Sequence, residues 1–216
     1  MFPIGDDDTA RRTVPLVTYG LIALNVLFFL VELGGGDALV GKWAFVPSRF
    51  LASPVGGFST LFTSMFMHAG WVHLGGNMLY LWIFGDNVED CFGHITFTVF
   101  YLLCGLAATL AQLAFSFGSN VPNLGASGAI AGVLAAYILL FPQGKVKVLQ
   151  GQQVVQVPAL IVIGLWIVLQ FFSGIGSIAQ SADTGGVAYM AHIGGFIAGF
   201  ALAFLFRGSR GAQARG

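Results

Sequence analysis

Three histidines, one serine and one asparagine stand out because they occur where ionisable and strongly polar side chains are expensive. His68, His73 and Asn77 fall in one long apolar stretch, Ser127 heads another, and His192 lies near the start of a third. Polar groups at membrane depth mark functional sites or pathways by default. A serine hydroxyl is a weak nucleophile until a base takes its proton, and a neutral imidazole is the usual base near pH 7. Ser127 and His192 therefore form the candidate nucleophile and base. His73 and Asn77, four residues apart on one helix face, are candidate hydrogen-bond donors to an oxyanion. His68 fits an interfacial or structural role equally well.

These residues need an apolar scaffold, and the composition supplies one. Of 216 residues, 56% are hydrophobic and 8% charged, against about 25% charged in soluble domains. The formal net charge is zero, with no basic stripe to suit nucleic acid. Cys91 and Cys104 have no metal-ligand spacing and give no disulfide framework. Apolar runs long enough to cross ~30 Å of hydrocarbon are expected at 15–33, 59–84, 95–117, 126–142, 157–174 and 187–206. The first lacks a small-residue cleavage site and reads as an anchor rather than a signal peptide. The fold class expected is all-α: a polytopic six-helix membrane bundle over 15–206, with short tails at 1–14 and 207–216.

Orientation follows from the cations. With the N-terminus inside, Arg11, Arg12, Lys145, Lys147, Arg207, Arg210 and Arg215 are all inside, and only Lys42 and Arg49 outside. Both tails are then cytoplasmic, in a multi-pass protein of a cell (plasma or inner) membrane. The loop 34–58, with Trp43, Phe45, Pro47, Phe50 and Pro54, is expected in the outer interface. The inner loop 143–156, with alternating Lys145, Val146, Lys147 and Val148, is expected to form a small hairpin without a catalytic part.

Depth draws the polar residues together. Asp86, Pro142 and Arg207 serve as inner markers for the second, fourth and sixth spans. At about 1.5 Å per helical residue, His73 lies ~20 Å above its marker, and Ser127 and His192 each lie ~22 Å above theirs. Small residues give the second argument. Gly125, Ala126 and Gly128 flank the serine, Ala131, Gly132 and Ala135 follow it, and Ala188, Gly195 and Gly199 accompany His192. Two small-residue faces let helix backbones approach closely, within reach of a Ser127–His192 hydrogen bond. No Asp or Glu stands in an outer half-span to orient His192; Asp183 lies in the loop before the sixth span, and Glu32 and Asp37 near the end of the first. The expectation is a dyad, with the Ser127 N–H at a positive helix end beside the oxyanion.

Taken together, His68-x4-His73-x3-Asn77, Gly85-x3-Glu89-x3-Gly93, Gly125-Ala126-Ser127-Gly128 and Ala191-His192-Ile193-Gly194-Gly195 continuing to Gly199 resemble the rhomboid family of intramembrane serine proteases over about 15–206. The resemblance implies a six-helix core, Ser127 as nucleophile, His192 as general base, and an oxyanion site from His73 and Asn77. It also implies an outward-opening, water-filled cavity and cleavage of single-pass membrane proteins, so that the partners expected are transmembrane protein substrates and the lipid bilayer; no cofactor or metal is expected. Two departures stand out. No Trp-Arg pair occurs in the first outer loop, and Ala131 takes the place of an aromatic that in some rhomboids stacks on the histidine. The competing readings are an inactive rhomboid-like membrane chaperone, which would lack the serine or histidine, and a proton-coupled transporter, which would want acidic partners at mid-membrane. A metal site from His68, His73 and His192 would lack a Cys or carboxylate ligand at depth. Because a substrate helix must reach the site from lipid, the moving part expected is Phe171 to Gly186, bulky at first and then Gly/Ser-rich.

Overall fold

The computed structural model describes residues 2–7, 9, 11–179 and 188–206. In chain order the elements are β1 (Phe2–Gly5), α1 (Leu16–Trp43), α2 (Pro47–Ala52), α3 (Pro54–Gly57), α4 (Thr60–Thr63), a 3-10 turn (Ser64–Phe66), α5 (Trp71–Phe92), α6 (His94–Phe115), α7 (Ser127–Leu140), β2 (Lys145–Gln150), β3 (Gln153–Pro158), α8 (Ala159–Ala179) and α9 (Tyr189–Phe206). Four of these, α1, α6, α9 and α8 over Ala159–Gly176, are long and apolar enough to cross a membrane. A chain with four such helices and this composition is a polytopic helical membrane protein. Helix α5 matches α6 in length but carries Asp86, Glu89 and Asp90 at one end, and α7 has 14 residues.

Helix α7 is the axis of the bundle. It is apolar all round, as a wholly enclosed helix must be, and every residue from Gly128 to Tyr137 is buried. Helices α5, α6 and α9 pack around it. Phe84, Phe97, Phe100, Tyr101 and Leu134 fill the core. The outer helices bury only a stripe: on α1 the buried residues are Thr18, Leu21, Asn25, Phe29 and Glu32, three or four apart.

The end of the bundle away from Ser127 is polar and tied together by side chains. The first-turn N–H groups of a helix have no partner inside it, and at α1 the buried carboxylate of Glu89 supplies one. It accepts from the backbone N–H groups of Val17 (2.9 Å) and Thr18 (2.7 Å), from the Thr18 hydroxyl (2.6 Å), and lies 2.6 Å from His94 Nδ1. The Gly85–Glu89–Gly93 spacing thus does three jobs at one helix end: close α1–α5 packing, capping of α1, and the turn into α6. Arg11 pairs with Asp86, and Asp90 accepts from the Thr13 backbone and hydroxyl. Asp6 is buried and accepts from Asn87 (2.8 Å) and from the Tyr137 hydroxyl (2.7 Å).

Several sequence expectations need correction. The stretch 59–84 is not one helix. It breaks after Phe66, and His68 sits in the non-helical link before α5 rather than on a span. The apolar run hides the break, because Met67 and the buried His68 keep the stretch hydrophobic while the chain turns through Ala69 and Gly70. Helix α5 continues past the expected end at 84 to Phe92, with Asp86 buried within it. Helix α1 runs past 33 to Trp43, bending at Gly36. The rest of 34–58, expected as a loop, contains the short helices α2 and α3. Phe45 is wholly buried and bridges to Asn123, and Ser48 bonds to Ser119 and Asn120, so the segment braces the chain leading into α7. The inner hairpin forms as β2–β3, with β1 as a third antiparallel strand on β2. Of the expected moving part, residues 171–179 continue helix α8, while residues 180–186, Asp183 among them, and the C-terminal tail lie outside the described residues.

Candidate active site

Three segments converge at the start of α7. Gly125 has φ +125°, backbone that favours glycine, and its N–H donates to the Ser64 carbonyl at 2.9 Å. A Cβ at this position would lie 2.8–2.9 Å from the His73 ring, so glycine lets that imidazole sit beside the serine. Ser127 is the first residue of α7, where N–H groups have no partner within the helix.

Across from it, α9 meets α7 backbone to backbone. A Cβ on Gly195 would fall 2.0 Å from the Gly128 carbonyl oxygen, and one on Gly199 would fall 2.3 Å from Gly132 Cα. This contact brings His192 Nε2 to 2.7 Å from Ser127 Oγ. His192 is 7% exposed, and its backbone neighbour Ala191 donates its N–H to Gln112 Oε1 on α6 (3.1 Å).

Two residues of α8 complete the surroundings of the imidazole, and sequence reasoning missed both. Gln170 Oε1 lies 2.7 Å from His192 Nδ1. The Trp166 ring lies against His192 with centroids 5.4 Å apart and planes tilted by 39°. The aromatic absent at Ala131 is therefore supplied from another helix. A signal existed: Gln170 is the lone polar side chain in Ala159–Phe172, one turn after the lone tryptophan.

On α5, His73 Nδ1 accepts from the Ala69 backbone N–H at 3.3 Å. A neutral ring accepting at Nδ1 carries its proton on Nε2, the side of the ring against Gly125. Asn77 is 8% exposed, and its Nδ2 has no hydrogen-bond partner among the described residues. A buried amide donor left unpaired costs about 1–3 kcal/mol, the usual mark of a group kept for a ligand or transition state. His68 is fully buried, its ring 5.1 Å from that of His73, and its backbone N–H is held by Glu32 Oε2 (3.0 Å). Among the described residues no three His, Cys, Asp or Glu side chains converge as metal ligands would. A cavity of about 20 Å³, lined by Ser64, Thr109, Asn123, Ser127 and Ala188 among others, opens beside the serine. That is room for roughly one water.

The described helices thus form a membrane bundle that holds a serine against a histidine beside a small cavity. The Rhomboid domain matches residues 55–209, and the chain belongs to the rhomboid family. It is similar to rhomboid protease GluP of Bacillus subtilis (34% identical over 193 residues, covering 86% of this chain and 34% of that protein). It is also similar to the mitochondrial rhomboid protein 1 of Saccharomyces cerevisiae (29% over 188 residues, 85% and 51%). The human mitochondrial presenilin-associated rhomboid-like protein matches at 31% over 144 residues, 64% of this chain and 35% of that protein. The chain thus spans about a third to a half of the length of these relatives.

Proposed function

We propose that this chain is an intramembrane serine endopeptidase that cleaves transmembrane proteins in or near their membrane segments. The observation that carries the reading is the 2.7 Å contact between Ser127 Oγ and His192 Nε2, with the far nitrogen of the same ring on an acceptor. That arrangement suits a neutral imidazole that takes the serine proton while Oγ bonds the scissile carbonyl carbon. The proton then passes from Nε2 to the leaving amine, and water repeats the cycle on the acyl-enzyme. The negative oxygen of the tetrahedral intermediate would sit among the Ser127 N–H, the His73 Nε2–H and the unpaired Asn77 amide. His68 supports the turn into α5.

Six helices, α1, α5, α6, α7, α8 and α9, cross in this reading, with both tails cytoplasmic and Ser127 near the opposite, outer side. Helix α7 is short because it starts below the surface, where irregular backbone is tolerated only beside protein or a water-filled cavity. An inactive, segment-binding relative would have no reason to keep an aligned serine–histidine pair. The test is a fluorophosphonate, which reacts only with an activated serine. Labelling of the wild-type chain that vanishes in Ser127→Ala supports the protease, and an unlabelled, folded wild type overturns it.

A further inference from the structure

The described contacts of His192 come from α7 on one side and α8 on the other. The α7 contact is the reaction partner itself. The α8 contacts do something else. For Nε2 to accept the serine proton, the ring's own proton must sit on Nδ1. A ring free to choose would spend part of its time with the proton on Nε2, where it can only donate to Ser127 and cannot act as base. An acceptor at Nδ1 removes that choice. A carboxylate is the familiar acceptor, but an ion within the bilayer carries a desolvation penalty of several kcal/mol. An amide oxygen provides the same direction without the charge.

We propose that Gln170 is the positioning residue of the base, its Oε1 accepting from His192 Nδ1–H and fixing the tautomer that makes Nε2 basic. The proposal rests on the protease reading and adds a third, neutral member to the pair. Trp166, one turn before Gln170 on the same face of α8, lies along the ring and limits its rotation. The consequence is a link between helix position and chemistry. Helix α8 is the least buried of the four helices long and apolar enough to cross a membrane and packs chiefly against α9. Both the acceptor at Nδ1 and the ring beside the imidazole thus depend on α8 keeping its packing against α9.

The experiment compares wild type with Gln170→Leu, Gln170→Met and Gln170→Glu in detergent and in vesicles, each checked for wild-type thermal stability. Two rates are read: cleavage of a transmembrane substrate, and labelling by a small fluorophosphonate that needs an active serine but no helix movement. The apolar variants should lower kcat and the labelling rate together, by roughly 10–100-fold, the range expected when a buried donor loses its partner, with KM within about twofold. Gln170→Glu keeps an acceptor oxygen and should restore most of both rates. A role for Gln170 in admitting substrate alone would change cleavage and leave labelling untouched, which overturns the proposal. Equal labelling of Gln170→Leu and wild type, or Gln170→Glu no better than Gln170→Leu, overturns it as well. A wild type that neither cleaves nor labels points instead to failure of the protease reading.

Discussion

At the scale of residues, the site divides into groups that react and groups that aim. In the proposed mechanism Ser127 and His192 act on one proton, so removing either removes the same step. Ser127→Ala and His192→Ala should each abolish cleavage of a transmembrane substrate, and the double variant should be no worse than either. Residual turnover in Ser127→Ala well above the uncatalysed rate would displace it as nucleophile. Asn77 differs, because its unpaired amide is useful only once negative charge develops. Asn77→Ala should lower kcat by about 10²–10³-fold, the usual loss for one oxyanion donor, and leave KM nearly unchanged. A rise in KM with kcat intact would place Asn77 in substrate binding instead. Four of the candidate residues, Ser127, His192, His73 and Asn77, are legible in the sequence because they break an apolar pattern. Gln170 is not, because an uncharged amide in an apolar helix resembles ordinary interhelical packing until its partner is known.

At the scale of elements, the contact that matters is α7 against α9. Its spacing is set by backbone touching backbone at Gly128–Gly195 and Gly132–Gly199. Methyl groups there have nowhere to go, and overpacking costs typically about 1–3 kcal/mol. Gly199→Ala should lower the thermal midpoint in detergent. It should also cut activity by more than stability explains, because a shift of about 1 Å between reacting groups costs on the order of 10²-fold. Gly164→Ala on α8, whose Cβ would meet nothing within 4 Å, is the control and should leave both unchanged. Equal behaviour of the two variants would remove close packing as the determinant of the Ser127–His192 distance. The small-residue spacing announced this contact in the sequence. The break before α5 was not announced, because hydropathy records where a chain is apolar and not where it turns.

For the whole molecule, the two ends of the bundle differ in kind. One holds the reactive pair and its small cavity, and the other is a network of carboxylates that accept from backbone and side chains. Glu89→Ala would orphan the Val17 and Thr18 donors, at about 1–3 kcal/mol for each buried group left unpaired. It should lower thermal stability sharply while leaving the kcat of the surviving folded protein near wild type. The ends should also report opposite sides of the membrane. With Cys91 and Cys104 changed to Ala, a thiol at Ser127→Cys and one at Gln152→Cys, in the turn between β2 and β3, should react with an impermeant reagent from opposite faces of sealed vesicles. Reaction from the same face would refute the topology.

The strand at the start of the chain adds a matter of timing. Phe2 pairs with Leu149, and Asp6 is held by Tyr137, so residues 2–6 gain these partners only once the chain has been made to Tyr137 within α7 and to Leu149 beyond it. At roughly 5–20 residues per second, the leading segment waits on the order of ten seconds or more, while α1 stands without part of its anchoring. A nascent chain halted before residue 149 should therefore expose its first dozen residues to protease, and one released beyond 158 should protect them. The β1–β2 pairing then works as a completion signal, closing this end of the molecule only after α7, the helix that begins at Ser127, has been made.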